Sequence, residues 1–407
     1  MKTVYLRGRS QGGPIHSLYR TLVRFPPEGY QVLGGKVDSA KPQQQPASSA
    51  SKKQLLLQNF DRNLESNAST KRVWQEAKTL SYMFIKKAQG SHDLLDIDAD
   101  LIYSSQQAAF VKRPWAVDFE FANALVDYND IKLGKGFVRR ALASKYCKKV
   151  LPWSDWAKRT LFRSIDCKSF EDKIETVHFA IDPKSFSKKK DDERLRLLFV
   201  GSVNLLNYLN FEWKGGFDVI DAFLELSKKY DGLELIVRSW APPEAIKKCS
   251  QNPNIKLIYS PLNDEELVDL YVSSDIFMFP SYLNLGMVIL EAMSYELPTI
   301  APKLYDVPEA LKDMKTGILV ENPPELPLYI WNGAPNHRDT NLLWGIRHYR
   351  PWRVKQIVEK TSLLIEDGSL RRRIGREARN LVENGEFSIK NRNEKLKRIF
   401  DEATENN

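Results

Sequence analysis

The 407-residue chain predicts an α/β protein of two doubly wound domains facing each other across a cleft. Its length exceeds one compact core and suits two domains of ordinary size. Short apolar runs alternate with amphipathic helical patterns, as in parallel sheets covered on both faces. A charged, apolar-poor run, "SKKKDDERLR" at 187–196, separates two halves that repeat this alternation. At 42% hydrophobic and 28% charged residues, the composition is that of a globular chain rather than a disordered one.

In the first half, "TVYLR" reads as a strand and "GRSQGG" as a glycine loop. A helix follows, with Ile15, Leu18, Tyr19 and Leu22 at helical spacing and Pro14 in its first turn. "YQVLGG" is a second short strand. Residues 36–72, rich in Gln, Ser, Lys and Asn, read as a mobile insertion. Further strands are expected at "ADLIYSS", "RPWAVDFE", "KKVLPWS" and "ETVHFA". These place a first domain at 1–186 and a linker at 187–194. The second domain, 195–384, has cleaner strands: "LRLLFVG", "LELIVRS", "IKLIYS", "DIFMFPS", "PTIAP" and "GILVE". Between them "GGFDVIDAFLELSKKY" and "DEELVDLYVSS" are helical in pattern. Residues 385–407 form a C-terminal helix expected to pack back on the first domain.

A net charge of +9 points to anionic partners: nucleic acid, phosphorylated small molecules or an acidic membrane surface. Cys147, Cys167 and Cys249 form no metal pattern and leave an odd count, which argues for reduced thiols in a cytoplasmic setting. The first residues contain no signal-peptide apolar core, and no run is long enough to span a bilayer. Any membrane contact is then peripheral. The run 139–163 interleaves basic residues with Trp153, Trp156 and Phe162, as a face lying on anionic lipid would, or as a solvated helix with core aromatics would.

The stretch "MVILEAM" carries one carboxylate, Glu291, in an apolar setting. A charge there needs a partner, water or a ligand, unless it faces solvent from an amphipathic helix. Ligands of doubly wound sheets bind beyond the carboxyl ends of the strands. Lys214, just before "GGFDVIDAF", and the glycine turn at Gly286 both fall there, each at a helix start able to hold phosphate. Lys214 alone would be an ordinary surface lysine, and Gly12-Gly13 an ordinary strand-to-helix turn.

The order "KGG…DAF", "NIKLIYSPLNDEELVDLYVSSDIFMFPS", "GMVILEAMSYELPTIAP" and "DMKTGILVE" resembles the family 4 glycosyltransferases, best over residues 195–322. The resemblance implies the GT-B fold, two Rossmann-like domains, and retaining transfer of a sugar from a nucleotide donor to a hydroxyl without a metal or other cofactor. It assigns ribose binding to Glu291 and neutralisation of the departing diphosphate to Lys214. Backbone at Gly286, Met287 and Val288 would reach donor sugar and phosphate, Gly12 and Gly13 would border the reacting centre, and Ser260 and Leu262 would meet the base. The chain departs from the family at Leu283 (a glutamate), Ser202, which takes an arginine's donor-side place, and Glu120 (a histidine). Arg238, Arg7 or Arg9 are candidate substitute cations.

Asp118 and Glu120 alternate to one side of a strand end and read either as catalytic groups at the cleft or as a salt-bridged strand end. "DLLDIDAD" contains Asp-x-Asp, but the strand starts after it, so it is not read as a metal site. His178 reads as a cleft-lining loop residue, and 326–352 as an acceptor lid, a dimer contact or a packed loop. The expected function is transfer to a lipid-linked or glycan acceptor, with no nucleic-acid partner. The alternatives are a non-catalytic GT-B protein that binds nucleotide sugar or glycan as regulator or scaffold, and a basic nucleic-acid binder.

Overall fold

The computed structural model describes residues 1–8, 17–34, 81, 97–126, 128, 130–182, 184–188, 193–201, 210–260, 262–283, 285–323, 330–331, 334–335 and 340–405. The expected insertion at 36–72, the Gly12-Gly13 loop, Arg9 and Ser202 lie outside the described residues.

The first sheet is parallel. Its strands are β1 (Lys2–Arg7), β2 (Tyr30–Leu33), β3 (Leu101–Ser105), β4 (Trp115–Phe119) and β5 (Cys147–Pro152), ordered β2-β1-β3-β4-β5. Helix α1 (Ser17–Arg24) buries Leu18, Tyr19 and Leu22 and leaves Arg20 to solvent, as its spacing dictates. Helices α2 (Ile131–Leu142) and α3 (Asp155–Ser164) are N-capped by Asp130 and Ser154, whose side chains accept from Lys132 N and Ala157 N. All residues of β3 and β4 are buried.

The second sheet is also parallel, ordered β11-β10-β9-β6-β7-β8. Its elements run β6 (Leu195–Val200), α4 (Asn210–Trp213), α5 (Gly216–Lys229), β7 (Leu233–Arg238), α6 (Pro243–Ser250), β8 (Ile255–Ile258), α7 (Asp264–Val272), β9 (Ile276–Met278), α8 (Met287–Ser294), β10 (Thr299–Pro302), α9 (Val307–Ala310) and β11 (Ile318–Val320). Four helices follow: α10 (Thr340–His348), α11 (Arg350–Glu366), α12 (Gly368–Glu383) and α13 (Ile389–Glu405). Two doubly wound α/β sheets are the class read from the alternation of strands and helices.

Two expectations change. "ETVHFA" does not form a strand. Glu175 N and Val177 N bond Val150 O and Pro152 O, but Pro152 has no N–H to return, so only an isolated bridge, Val150 to Ile174, forms. The run 139–163 is not one surface face. It is divided among α2, β5 and α3, with Trp153 and Trp156 buried and Phe162 39% exposed. Lys149 pairs with Glu402.

Helix α13 lies on the first sheet. Arg392, buried, donates to Thr21 Oγ1 at 3.0 Å and to Phe25 O at 2.9 Å, and Tyr30 donates to Asp401 Oδ1 at 2.7 Å. A second tie spans the cleft. Glu309 on α9 accepts from Asp155 N at 2.8 Å and Trp156 N at 2.7 Å, so one domain caps a helix of the other. The Tyr305 and Trp156 rings meet beside it at 5.1 Å. The three cysteines are buried free thiols, pushed up to about 12, 12 and 11 chiefly by burial.

Candidate active site in the interdomain cleft

Between the carboxyl ends of the two sheets lies a cavity of about 700 Å³, lined from both domains. Glu291, Lys214, Arg238 and the start of α8 at Gly286, Met287 and Val288 form its second-domain wall. Tyr19, Ser105, Gln106, Glu120 and Tyr128 form the opposite wall.

Glu291 projects one turn into α8. Tyr271 on α7 donates to its Oε2 at 3.1 Å, and the Tyr271 ring stacks on Tyr295 at 5.0 Å. Burial raises the Glu291 carboxyl above the usual range, opposed by the Tyr271 hydroxyl and by Lys184 and Arg238. The carboxylate in "MVILEAM" therefore has a protein partner and also faces the cavity. Lys214 is pushed down to about 8 by burial and by the neighbouring Arg238. Arg238, the last residue of β7, is itself lowered by burial.

Gly215 places Lys214. Its φ of +77° is left-handed, and a Cβ there would collide with Pro280 O. A buried ionic and aromatic network backs this wall. Tyr282 donates to Asp218 Oδ2 at 2.8 Å, the Arg353 guanidinium lies 3.7 Å from the Tyr282 ring, and Arg353 donates to Pro280 O at 2.8 Å. Glu212 takes Arg347 in a two-point pair and also holds Arg350. Helices α10 and α11, which carry these arginines, thereby brace the cavity loop. Much of the 326–352 segment lies outside the described residues, but its α10 part is packed structure. Leu283 lines the cavity and packs with Trp213, Tyr282, Leu342 and Ile346. That apolar setting favours leucine where the family the sequence resembles has glutamate.

The loop before α8 is pinned by buried Asp306, whose Oδ1 accepts from Leu285 N at 2.7 Å. Burial pushes the Asp306 carboxyl up to about 7, with Glu309 and Glu120 adding to the rise.

In the first domain Glu120 reaches the cavity and Asp118 does not. Asp118 lies beneath Tyr19, accepting from Tyr19 at 2.8 Å, Tyr103 at 3.1 Å and Gln106 N at 3.2 Å. Burial pushes it up to about 6 against these donors. Glu120 accepts from the Tyr128 hydroxyl. His178 stacks on Phe387 at 4.7 Å and bonds Trp153 O, away from the main cavity wall. Ser260 and Leu262 flank the end of β8 without lining the cavity, which Leu267 borders instead. Asp100, ending "DLLDIDAD", accepts from Thr3 N at the start of β1, at the far end of the sheet from the cleft. Among the described residues no group of three or more His, Cys, Asp or Glu could hold a metal ion.

Residues 193–328 match the family model described as glycosyl transferases group 1. The matched span lies in the second domain, and the two-domain fold is GT-B. The chain is 23% identical over 293 residues to a trehalose synthase of Thermococcus litoralis, covering 66% of this chain and 68% of that one. It is 26% identical over 178 residues to the capsular polysaccharide biosynthesis glycosyltransferase CapM of Staphylococcus aureus, covering 42% and 38% of the two chains. Sucrose-phosphate synthase from Thermosynechococcus elongatus superposes with a TM-score of 0.60 at 14% identity over the full length of both chains. Anabaena HepE in complex with UDP-glucose gives 0.55 at 13% identity, covering 98% and 99%.

Glu291, Lys214, Gly286, Met287, Val288 and Glu120 were legible in the sequence and converge on the cavity. Gln106, Tyr128, Tyr271 and Asp306 were not, since no motif marks them and their partners lie far away in sequence.

Proposed function

We propose that this glycosyltransferase moves a hexosyl group from a nucleotide-sugar donor to a hydroxyl of a lipid-linked or glycan acceptor, with retention and without a bound metal. The observation that carries this reading is the grouping of Glu291, Lys214, Arg238 and the α8 N-terminus on one wall of a cavity whose other wall belongs to the first domain.

In this reading Glu291 accepts hydrogen bonds from the ribose hydroxyls, with Tyr271 holding its second oxygen. Lys214 and the amides at the start of α8 meet the diphosphate, and Arg238 supplies the second positive charge where an arginine at 202 is missing. Stabilising charge on the departing diphosphate is the main catalytic demand, and the diphosphate takes the acceptor proton on the same face. Glu120 acts on the acceptor side, and Asp118 supports it from beneath the cavity floor. The sequence resemblance assigns donor-side roles to Gly12, Gly13 and Ser202 as well, and Leu267 rather than Ser260 or Leu262 borders the cavity on the side of the base. HepE, which shares the fold, has been crystallised with UDP-glucose, and CapM is named for capsular polysaccharide biosynthesis; both make a nucleotide sugar and a glycan reasonable first probes.

The test is calorimetric titration with UDP, GDP, ADP and their sugars, followed by donor consumption in EDTA. Glu291→Gln should weaken the nucleotide that binds by roughly 1.5–3 kcal/mol, the range for a hydrogen bond to a charged group. Unchanged affinity in a folded variant removes Glu291 from the site. Activity that EDTA abolishes and Mn²⁺ restores removes the metal-free mechanism. Binding without turnover leaves the regulator or scaffold reading.

A further inference from the structure

We propose that Gln106, Tyr128 and Glu120 form a subsite for a hydroxyl of a neutral pyranose on the first-domain wall of the cavity, where the acceptor sugar is held. This rests on reading the cavity as a transferase cleft, and it assigns Gln106 and Tyr128 a role that no sequence motif suggested.

The three side chains form a polar row. The Tyr128 hydroxyl lies 2.6 Å from Gln106 Oε1 and donates to Glu120 Oε1 as well. All three residues line the cavity, opposite Lys214 and Arg238. Gln106 and Tyr128 have φ of +54° and +60°, a backbone region that non-glycine residues rarely adopt. Such conformations persist only where the surroundings enforce them, and they gather at functional sites. The surroundings enforce them here. Gln106 N bonds both Asp118 O at 2.9 Å and Asp118 Oδ1 at 3.2 Å, Tyr128 N bonds Asn123 O at 2.8 Å, and the Tyr128 ring packs edge-on against Phe121 at 5.3 Å.

The chemistry fits a sugar. An amide, a carboxylate and a phenol offer mixed donors and acceptors to neighbouring hydroxyls. Tyr19, Trp153 and Phe179 border the same cavity and give it aromatic lining that suits the apolar side of a pyranose. The carboxylate disfavours an anionic group at this end, whereas Lys214 and Arg238 attract one at the other. A neutral hydroxyl-bearing ring therefore belongs here, and the diphosphate belongs opposite.

Saturation-transfer NMR with the methyl glycosides of glucose, galactose, mannose and N-acetylglucosamine tests this on the full chain, with and without the nucleotide that binds best. Wild-type protein should give transfer to at least one glycoside. Tyr128→Phe and Gln106→Gly should weaken that glycoside at least tenfold and leave nucleotide affinity unchanged. Glycine suits a φ of +54°, so Gln106→Gly should melt no lower than wild type, which separates loss of the subsite from loss of the fold. If no glycoside binds wild-type protein, or both variants bind it equally well, the subsite is wrong. If glycosides bind as expected and no nucleotide does, the donor reading fails and the subsite stands.

Discussion

Lys214 shows how much the surroundings change a residue. In the sequence it is a lysine before two glycines. In the fold it is pressed beside Arg238 and held down to about 8, where an exposed lysine would stay charged well beyond physiological pH. It carries its charge below that value and loses it above. Affinity for a nucleoside diphosphate should therefore fall as pH rises through 8, approaching tenfold per unit. Lys214→Met should bind more weakly and lose that slope. Calorimetric titration between pH 6.5 and 9.5 measures both, and parallel profiles for the two proteins would assign the slope elsewhere. Glu291 was legible because a carboxylate in an apolar helix calls for a partner. Tyr271, which supplies one, was not, because nothing in the sequence says which tyrosine faces which helix.

Helix α3 is where an expectation about an element had to be narrowed. The basic and aromatic run 139–163 breaks across three elements, yet α3 keeps a face of exposed Arg159, Phe162 and Arg163 beside half-buried Lys158. Its first amides are capped by Glu309 from the second domain, which fixes how this face sits relative to the cleft. No described helix is long and apolar enough to cross a membrane. Each basic residue near an anionic surface contributes about 1 kcal/mol, so a few on α3 would suffice for reversible docking. Cosedimentation with phosphatidylglycerol vesicles should fall with added salt. It should fall further when Lys158 and Arg163 become Gln, with nucleotide affinity unchanged. Lys149 and Arg159 do not belong to this test, since Glu402 and Glu309 already hold them. Wild-type protein that ignores such vesicles at low salt would point to an acceptor reached from solution.

Across the whole molecule, α13 joins the end of the chain to its beginning. Arg392 is the centre of that join, donating to carbonyls at the end of α1 and lying close to Tyr103 on β3. Burial lowers the Arg392 guanidinium to about 10, so its hydrogen bonds offset a cost of desolvation. Arg392→Met should lower stability by roughly 1.5–3 kcal/mol, the range for hydrogen bonds to a charged group. Two domains need not unfold together, so hydrogen exchange is the better measure than one melting curve. Amides of β1 and β3 should exchange faster, and those of β6 and β7 should change less. Equal acceleration in both sheets would mean that α13 stabilises the pair rather than the first domain.

Periodicity alone carried the architecture. Alternating apolar strands and amphipathic helices have few ways to bury their faces, and parallel sheets covered on both sides satisfy the pattern in each half. The same local signals marked Lys214, Gly286 and Glu291, because helix starts beyond strand ends are placed by the chain's own order. "ETVHFA" failed as a strand for want of a partner: Pro152 cannot return a hydrogen bond, and pairing is a property of two segments. Leu283, Tyr271, Gln106 and Tyr128 took their meaning from residues on other elements, which sequence spacing does not bring together. Only packing brought Leu342 against Leu283, Glu291 against Tyr271, and Glu120 into a polar row with Tyr128 and Gln106, because burial and hydrogen bonding depend on distance in space rather than along the chain.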